Sequence, residues 1–93
     1  MDELARLRAI VHGHVQGVFF REATRRRGET LGLRGVARNL PDGTSVEVVA
    51  EGKKEDLRAM ADFLRTGPPA ARVDRVETEW SDYSDEFTEF MTG

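Results

Sequence analysis

A stretch near the N-terminus combines glycines, apolar residues and one arginine in an order suited to binding an anion. Residues 11–21 read VHGHVQGVFFR, so that Gly13 and Gly17 follow an apolar run and Arg21 stands where a helix is expected to begin. A helix start offers unpaired backbone N–H groups and the positive end of a dipole. A guanidinium adds a permanent charge whose flat fork matches phosphate oxygens. The pattern predicts a small oxyanion cradle.

The same residues also have plainer interpretations. Arg21 alone would be a solvated surface residue, and Gly13 and Gly17 alone would serve only the geometry of a turn. Arginine at a helix start opposes the dipole, however, which indicates that an anion offsets its charge. Positive φ angles at glycines also help successive N–H groups converge, so a turn and an anion site are compatible.

Composition and charge limit what such a cradle does. The 93 residues suit a single domain spanning residues 1–93, and they contain no cysteine, which excludes disulfides, thiolate zinc and a cysteine nucleophile. The two histidines, His12 and His14, lack a ligand spacing, so we expect no metal and no other cofactor. A net charge of −3 argues against nucleic acid as a partner. The apolar run at residues 9–11 is too short for a membrane span, and we expect a cytoplasmic monomer.

Hydrophobic periodicity predicts the order strand, helix, strand, strand, helix, strand. The predicted elements are a strand through residues 7–11, a helix over residues 21–31 ended by Gly32, a hairpin of residues 33–40 and 46–51, a helix carrying Leu57, Met60, Ala61 and Leu64, a strand through residues 76–80, and a possible short edge strand within residues 87–91. This order predicts a ferredoxin-like α+β sandwich, with an antiparallel sheet and both helices on one face.

Two features within these elements carry a prediction of their own. Gly28 inside the first helix destabilises that helix by about 1 kcal/mol relative to alanine. Its presence there is explained either by close packing of the helix against the sheet or by an accidental weak spot. Trp80, Phe87 and Phe90 are expected in the core or as a cover on the sheet.

The motif residues resemble a known family. Residues 13–21, GHVQGVFFR, are similar to the first signature of acylphosphatases, Gly-x-Val-Gln-Gly-Val-x-Phe-Arg, at every fixed position. Residues 35–43, GVARNLPDG, resemble the second signature, whose key member is an asparagine, here Asn39. Val36 stands where the family has an aromatic residue, and two residues rather than one separate Gly43 from Val46. Asn39 keeps its place if the hairpin register absorbs that extra residue.

The resemblance implies an acylphosphatase, which hydrolyses a small-molecule acyl phosphate to a carboxylate and inorganic phosphate. It assigns Arg21 and the loop N–H groups to the phosphate, and Asn39 to the attacking water. It also makes inorganic phosphate or sulfate an expected ligand. The loop residues concerned are Val15, Gln16, Gly17, Val18, Phe19 and Phe20.

Alternatives remain for the individual residues. Asn39 alone would be a turn residue that bonds the local backbone. Gln16 either supports the loop or touches the substrate. Residues 25–27 form a basic run that we expect to be solvated and paired with Glu22 or Glu29 rather than to bind phosphate. His12 and His14 occupy variable motif positions and are not expected to be catalytic.

Two other functions compete at the level of the whole chain. A domain that kept the cradle and lost the chemistry would sense an oxyanion. The same fold also presents its sheet to RNA, which requires exposed aromatic residues on the central strands. The candidate strands offer Arg6, Arg8 and Ile10 and then Glu47, Val49 and Glu51, so the sequence disfavours RNA binding.

Overall fold

Two helices pack against a five-stranded sheet in the computed structural model, which describes residues 3–93. The elements in chain order are β1 Leu4–His14, α1 Phe20–Thr30, β2 Arg34–Asn39, β3 Ser45–Lys53, α2 Lys54–Leu64, β4 Arg72–Asp82 and β5 Phe90–Thr92. The strands lie in the order β4-β1-β3-β2-β5. The ferredoxin-like prediction is confirmed for β1 to β4, which pair antiparallel. The short fifth strand runs parallel to β2, so the complete sheet is mixed rather than purely antiparallel.

Alternation along β1 builds the core. Leu7, Ala9 and Val11 are buried, while the intervening residues face the open side of the sheet, as the period of two predicts. The apolar stripe of α2 packs onto the same core. Its four predicted residues are all buried, namely Leu57, Met60, Ala61 and Leu64. No helix within residues 3–93 is long and apolar enough to cross a bilayer.

Helix α1 ends at a glycine cap and packs closely against β5. Gly32 adopts φ 72°, and the Leu33 N–H reaches back to the Gly28 carbonyl at 2.8 Å, which is the expected left-handed C-terminus. At Gly28 a Cβ atom would stand 2.4 Å from the Phe90 ring. Gly28 is therefore required by a close approach to a side chain of the sheet, which decides between the two explanations above.

The aromatic residues near the C-terminus differ in their environments. Phe90 is buried in the core, and Phe87 lies beneath the Arg6 guanidinium with 5.4 Å from Cζ to the ring centroid, so one is a core residue and the other packs over the sheet, the two placements predicted. Trp80 remains 43% exposed, so its placement in the core is wrong, and its role as a cover on the sheet stays a prediction. Trp80 lies on β4 opposite Leu7 of β1, and β4 is an edge strand of the sheet formed by residues 3–93.

Candidate active site

Three buried side chains anchor the loop between β1 and α1 to the core. Val15, Val18 and Phe20 are buried, whereas Gly17 is exposed and Phe19 is 83% exposed. Gly17 and Phe19 both adopt the left-handed conformation, with φ 74° and 63°. A left-handed residue beside right-handed neighbours turns successive N–H groups toward one point and forms a concave anion site.

The N–H groups of this loop are available to a ligand. Within residues 3–93, none of the N–H groups of residues 16–19 donates to a protein acceptor. The first hydrogen bond of α1 runs from the Ala23 N–H to the Phe19 carbonyl at 3.0 Å, so the N–H groups just before Ala23 lack helical partners as well. Phe19 is the N-cap and supplies no side-chain cap. The start of α1 is therefore electropositive and open.

Packing around Phe20 holds this helix start in position. The Phe20 ring is buried against Gly67, where a Cβ atom would stand 2.5 Å from the ring. Gly67 also adopts φ 67° in the turn after α2. The glycine–proline segment that ends α2 in the sequence thus supports the cradle from behind.

Arg21 and Asn39 line one cleft. The cradle cleft has a volume of about 290 Å³ and is lined by Val15, Gly17, Phe19, Phe20, Arg21, Glu22, Asn39 and Thr92. One guanidinium nitrogen of Arg21 donates to the Gly93 carbonyl at 2.8 Å. That is the single hydrogen bond of this side chain within the described residues, which leaves its other N–H groups for a ligand.

Asn39 keeps its expected place at the end of β2. It pairs with Val46 on β3, and the Leu40 N–H donates to the Ser45 carbonyl at 3.0 Å, so the register runs unbroken to the turn. The extra loop residue is therefore absorbed beyond the paired strands. Asp42 caps the turn, accepting from the Thr44 N–H at 2.9 Å and from the Ser45 hydroxyl at 2.6 Å. The Asn39 amide makes no hydrogen bond within residues 3–93 and faces the cleft unpaired.

Gln16 ties the cradle loop to this hairpin. Its Nε2 donates to the carbonyls of Leu40 and Ser45, each at 2.9 Å. Gln16 and Val18 are the two loop residues that do not line the cleft, since Gln16 reaches the hairpin and Val18 points into the core. Gln16 therefore supports the loop, which was one of the two roles considered for it.

Glu22 brings a carboxylate to the cleft wall, but two arginines pair with it. Arg25 donates to it at 2.6 Å and 2.9 Å, and Arg26 donates at 3.1 Å. The hydrogen bonds from Arg25, with a smaller contribution from Arg26, lower the pKa of Glu22 to about 2. Arg25 also pairs with Glu29 at 2.9 Å, so Arg25 and Arg26 of the basic run are engaged in ion pairs as expected, whereas Arg27 has no carboxylate partner within residues 3–93.

The histidines lie away from the cleft. His12 pairs with Glu77 at 2.5 Å, and His14 is exposed at the end of β1. Among residues 3–93, no cluster of three or more histidine, aspartate or glutamate side chains has the arrangement of a metal site.

Sequence reasoning missed Glu22 and Thr92, which line the cleft, and Gly93, which accepts the hydrogen bond from Arg21. β5 pairs Thr92 with Ala37, and the Gly93 N–H donates to the Ala37 carbonyl at 2.9 Å, which brings the C-terminal residues beside Arg21. Three residues of strand carry no readable period. The apolar residues within 87–91 were the available signal, and they indicated a strand without indicating its partner.

The geometry and the sequence agree with one family. The family model described as Acylphosphatase matches residues 7–92. The chain belongs to the acylphosphatase family. The resemblance carried by residues 13–21 and 35–43 is thereby confirmed, and the chain is an enzyme of this family.

Individual acylphosphatases are similar over nearly the whole length. An acylphosphatase of Dehalococcoides mccartyi is 52% identical over 84 residues, which cover 90% of this chain and 92% of the relative. The structure of an acylphosphatase from Coxiella burnetii superposes with a TM-score of 0.90 at 34% identity, covering 98% of this chain and 94% of that one. The acylphosphatase from Bacillus subtilis gives a TM-score of 0.90 at 29% identity, covering 96% and 98%.

Proposed function

We propose that this acylphosphatase hydrolyses acyl phosphates in the cradle cleft, with one role for each group that lines it. Arg21 and the N–H groups of residues 15–20 hold the phosphate, and Asn39 orients the attacking water. The products are a carboxylate and inorganic phosphate.

The substrate's chemistry suits these groups. The leaving group is a carboxylate, which departs without taking up a proton. The enzyme therefore needs chiefly to position the reactants and to stabilise charge on the phosphoryl oxygens. Arg21 supplies a fixed positive charge, and the loop N–H groups supply donors that need no reorganisation during the reaction. Glu22 lines the cleft and would repel the substrate, but its ion pairs with Arg25 and Arg26 offset that charge.

Asn39 is suited to orienting water rather than to removing its proton. Its carbonyl oxygen accepts from the water and its amide donates, but an amide is a very weak base. The water oxygen bonds to phosphorus as the bond from phosphorus to the acyl oxygen breaks. The water's proton passes to a phosphate oxygen, which leaves dihydrogen phosphate and a free carboxylate, and the dihydrogen phosphate then equilibrates with monohydrogen phosphate by releasing a proton to solvent.

The observation that supports this proposal most strongly is the shared cleft. Arg21 with free N–H groups, the unbonded loop amides and the unpaired Asn39 amide line a single cleft. A surface arginine and a turn asparagine with purely structural roles would have no reason to meet there with their donors unused.

Hydrolysis of benzoyl phosphate, followed by loss of its absorbance, tests the proposal. We expect steady turnover, with inorganic phosphate and sulfate as competitive inhibitors because they fill the same cradle. Turnover should persist after exhaustive chelation, because charge stabilisation comes from Arg21 and the loop N–H groups. Phosphate binding without hydrolysis would indicate an oxyanion sensor and contradict the proposal.

A further inference from the structure

A second depression opens directly beside the cradle cleft. The helix groove, lined by Phe19, Arg27, Phe63, Thr66, Pro68 and Pro69 among others, has a volume of about 640 Å³. It runs between the exposed side of α1 and the segment that follows α2. Phe19 and Glu22 line both the groove and the cradle cleft, so the two depressions share a wall.

We propose that the helix groove binds the acyl group of the substrate, with Phe19 as a specificity-determining residue. The inference rests on the proposed function, because it needs the phosphate in the cradle cleft. It commits to an acyl group with a flat apolar body and a negatively charged far end.

The conformation of Phe19 is the first argument. Phe19 is 83% exposed and adopts φ 63°, a conformation that bulky residues rarely take. An aromatic ring gains nothing for folding at such exposure. Its position on the wall between cleft and groove places the ring where an acyl group attached to a bound phosphate would emerge, and a flat acyl group would cover it.

The surfaces of the groove are the second argument. Phe63, Pro68 and Pro69 provide apolar surface opposite α1. The Arg27 guanidinium stacks over the Phe63 ring, 4.8 Å from its centroid, which flattens this surface further. A planar acyl group fits between such faces better than a compact polar one.

Charge is the third argument. Arg26 and Glu22 face the groove and pair with each other, so their charges largely cancel. Arg27 forms no ion pair with a carboxylate within residues 3–93, and its charge remains uncompensated beside Phe63. An anionic group at the far end of the acyl moiety would supply the missing partner.

The test compares acetyl, benzoyl and 4-carboxybenzoyl phosphate in the wild type and in Phe19→Gly, Phe19→Asn and Arg27→Gln variants. Glycine and asparagine both tolerate the left-handed conformation, so each removes the ring without forcing the loop to rearrange. The readout is the ratio of kcat/KM values between two substrates. A general disturbance of the loop lowers kcat/KM for all three substrates alike, so it cancels in the ratio. Arg58→Gln, on the exposed side of α2, is the matched control for Arg27→Gln.

We expect both Phe19 variants to lower the benzoyl-to-acetyl ratio about tenfold, through loss of one aromatic contact. Arg27→Gln should lower the carboxybenzoyl-to-benzoyl ratio about threefold, as for an exposed ion pair, and Arg58→Gln should leave it unchanged. Benzoyl-to-acetyl ratios within twofold of wild type in both Phe19 variants would overturn the proposed subsite. An unchanged carboxybenzoyl-to-benzoyl ratio in Arg27→Gln would overturn the preference of the subsite for an anionic end. A wild type that hydrolyses none of the three would contradict the proposed function itself, and the subsite with it.

Discussion

At the scale of single residues, Arg21 and Asn39 differ in how the fold engages them. Arg21 is steadied by one hydrogen bond to the Gly93 carbonyl, which orients the guanidinium and leaves further donors free. Asn39 is held only through its backbone, which pairs with Val46 of β3. Its side-chain amide has no hydrogen bond within the described residues. The first arrangement suits constant electrostatic work. The second suits a group that must accept a water molecule and release it.

Replacement of Asn39 should therefore separate turnover from binding. We expect Asn39→Ala to lower kcat for benzoyl phosphate by at least about 100-fold, since the water loses its orientation. The inhibition constant of inorganic phosphate should change by less than about threefold, because the phosphate contacts remain. Steady-state kinetics and phosphate inhibition measure the two effects.

Thr44→Ala is the matched control for this measurement. Thr44 lies exposed in the same hairpin and contributes through its backbone, so its kinetics should stay at the wild-type level. If Asn39→Ala weakens phosphate binding as much as it slows turnover, Asn39 is a binding residue and its assignment to the water is wrong.

At the scale of elements, the site depends on three segments meeting: the cradle loop, the β2–β3 hairpin and β5. The two hydrogen bonds from Gln16 join the first two, and the ladder between β5 and β2 brings in the third. Each tie uses backbone carbonyls or N–H groups. The distance between the cradle and the Asn39 amide therefore depends on one side chain, Gln16, and on the main-chain ladder between β2 and β5.

Gln16 provides a graded test of this coupling. Gln16→Ala removes both donated hydrogen bonds and should lower kcat/KM about tenfold, corresponding to about 1.4 kcal/mol. Gln16→Glu should cost more, because a carboxylate would face the Leu40 and Ser45 carbonyl oxygens. We expect kcat/KM and the free energy of unfolding in urea to decrease in the order wild type, Gln16→Ala, Gln16→Glu. Equal activity of the alanine and glutamate variants would refute a donor role for Gln16.

At the scale of the whole molecule, the open face of the sheet is held together by buried carboxylates. Glu47 accepts from Arg8 at 2.7 Å and from Arg38 at 2.6 Å. Glu51 is 2% exposed and accepts from Arg6 and from the segment that crosses to β5. Arg6, Arg8 and Arg38 are thus all paired with carboxylates of β3.

Glu51 should make the stability of the fold dependent on acid. Burial alone would raise the pKa of Glu51, but hydrogen bonds from the Ser84 and Glu86 N–H groups, the Ser84 hydroxyl and Arg6 outweigh burial and hold this pKa below its ordinary value. A pKa lowered by folding means that the unfolded chain binds more protons in acid. The contribution of Glu51 is thus complete above its unfolded pKa, about 4.3, and is lost as the pH falls through the folded pKa.

We expect Glu51→Gln to lower the free energy of unfolding at pH 7 by at least about 2 kcal/mol, since it leaves the groups around it imperfectly paired. The difference from wild type should shrink at pH 3, because this pH lies below the unfolded pKa of about 4.3 and part of the stability that the ionised carboxylate contributes is lost there. Urea unfolding at both pH values measures this. Glu79 is exposed on the same sheet, and Glu79→Gln should change the free energy of unfolding by less than about 0.5 kcal/mol at either pH. An equal loss of stability for Glu51→Gln at pH 3 and pH 7 would contradict this role of Glu51.

Features that depend on residues close together in the sequence could be predicted, and features that depend on distant residues could not. The strands and helices were readable chiefly because their apolar residues recur about every two or every 3.6 positions in the sequence. Arg21 and Asn39 were readable because each lies in a contiguous motif. The contact from Arg21 to Gly93 was not, since 72 residues separate its partners and three residues of β5 carry no period. The exposure of Trp80 was missed for a related reason: its strand has a recognisable pattern, but its outer position in the sheet depends on the topology.

Replacement of Arg21 tests the central claim most directly. Arg21→Ala should reduce kcat/KM for benzoyl phosphate by at least about 100-fold, corresponding to about 3 kcal/mol, because the cradle loses its fixed charge. Arg58→Ala, an exposed arginine on the other helix, should stay within twofold of wild type. Turnover by a folded Arg21→Ala protein within threefold of wild type would contradict the account.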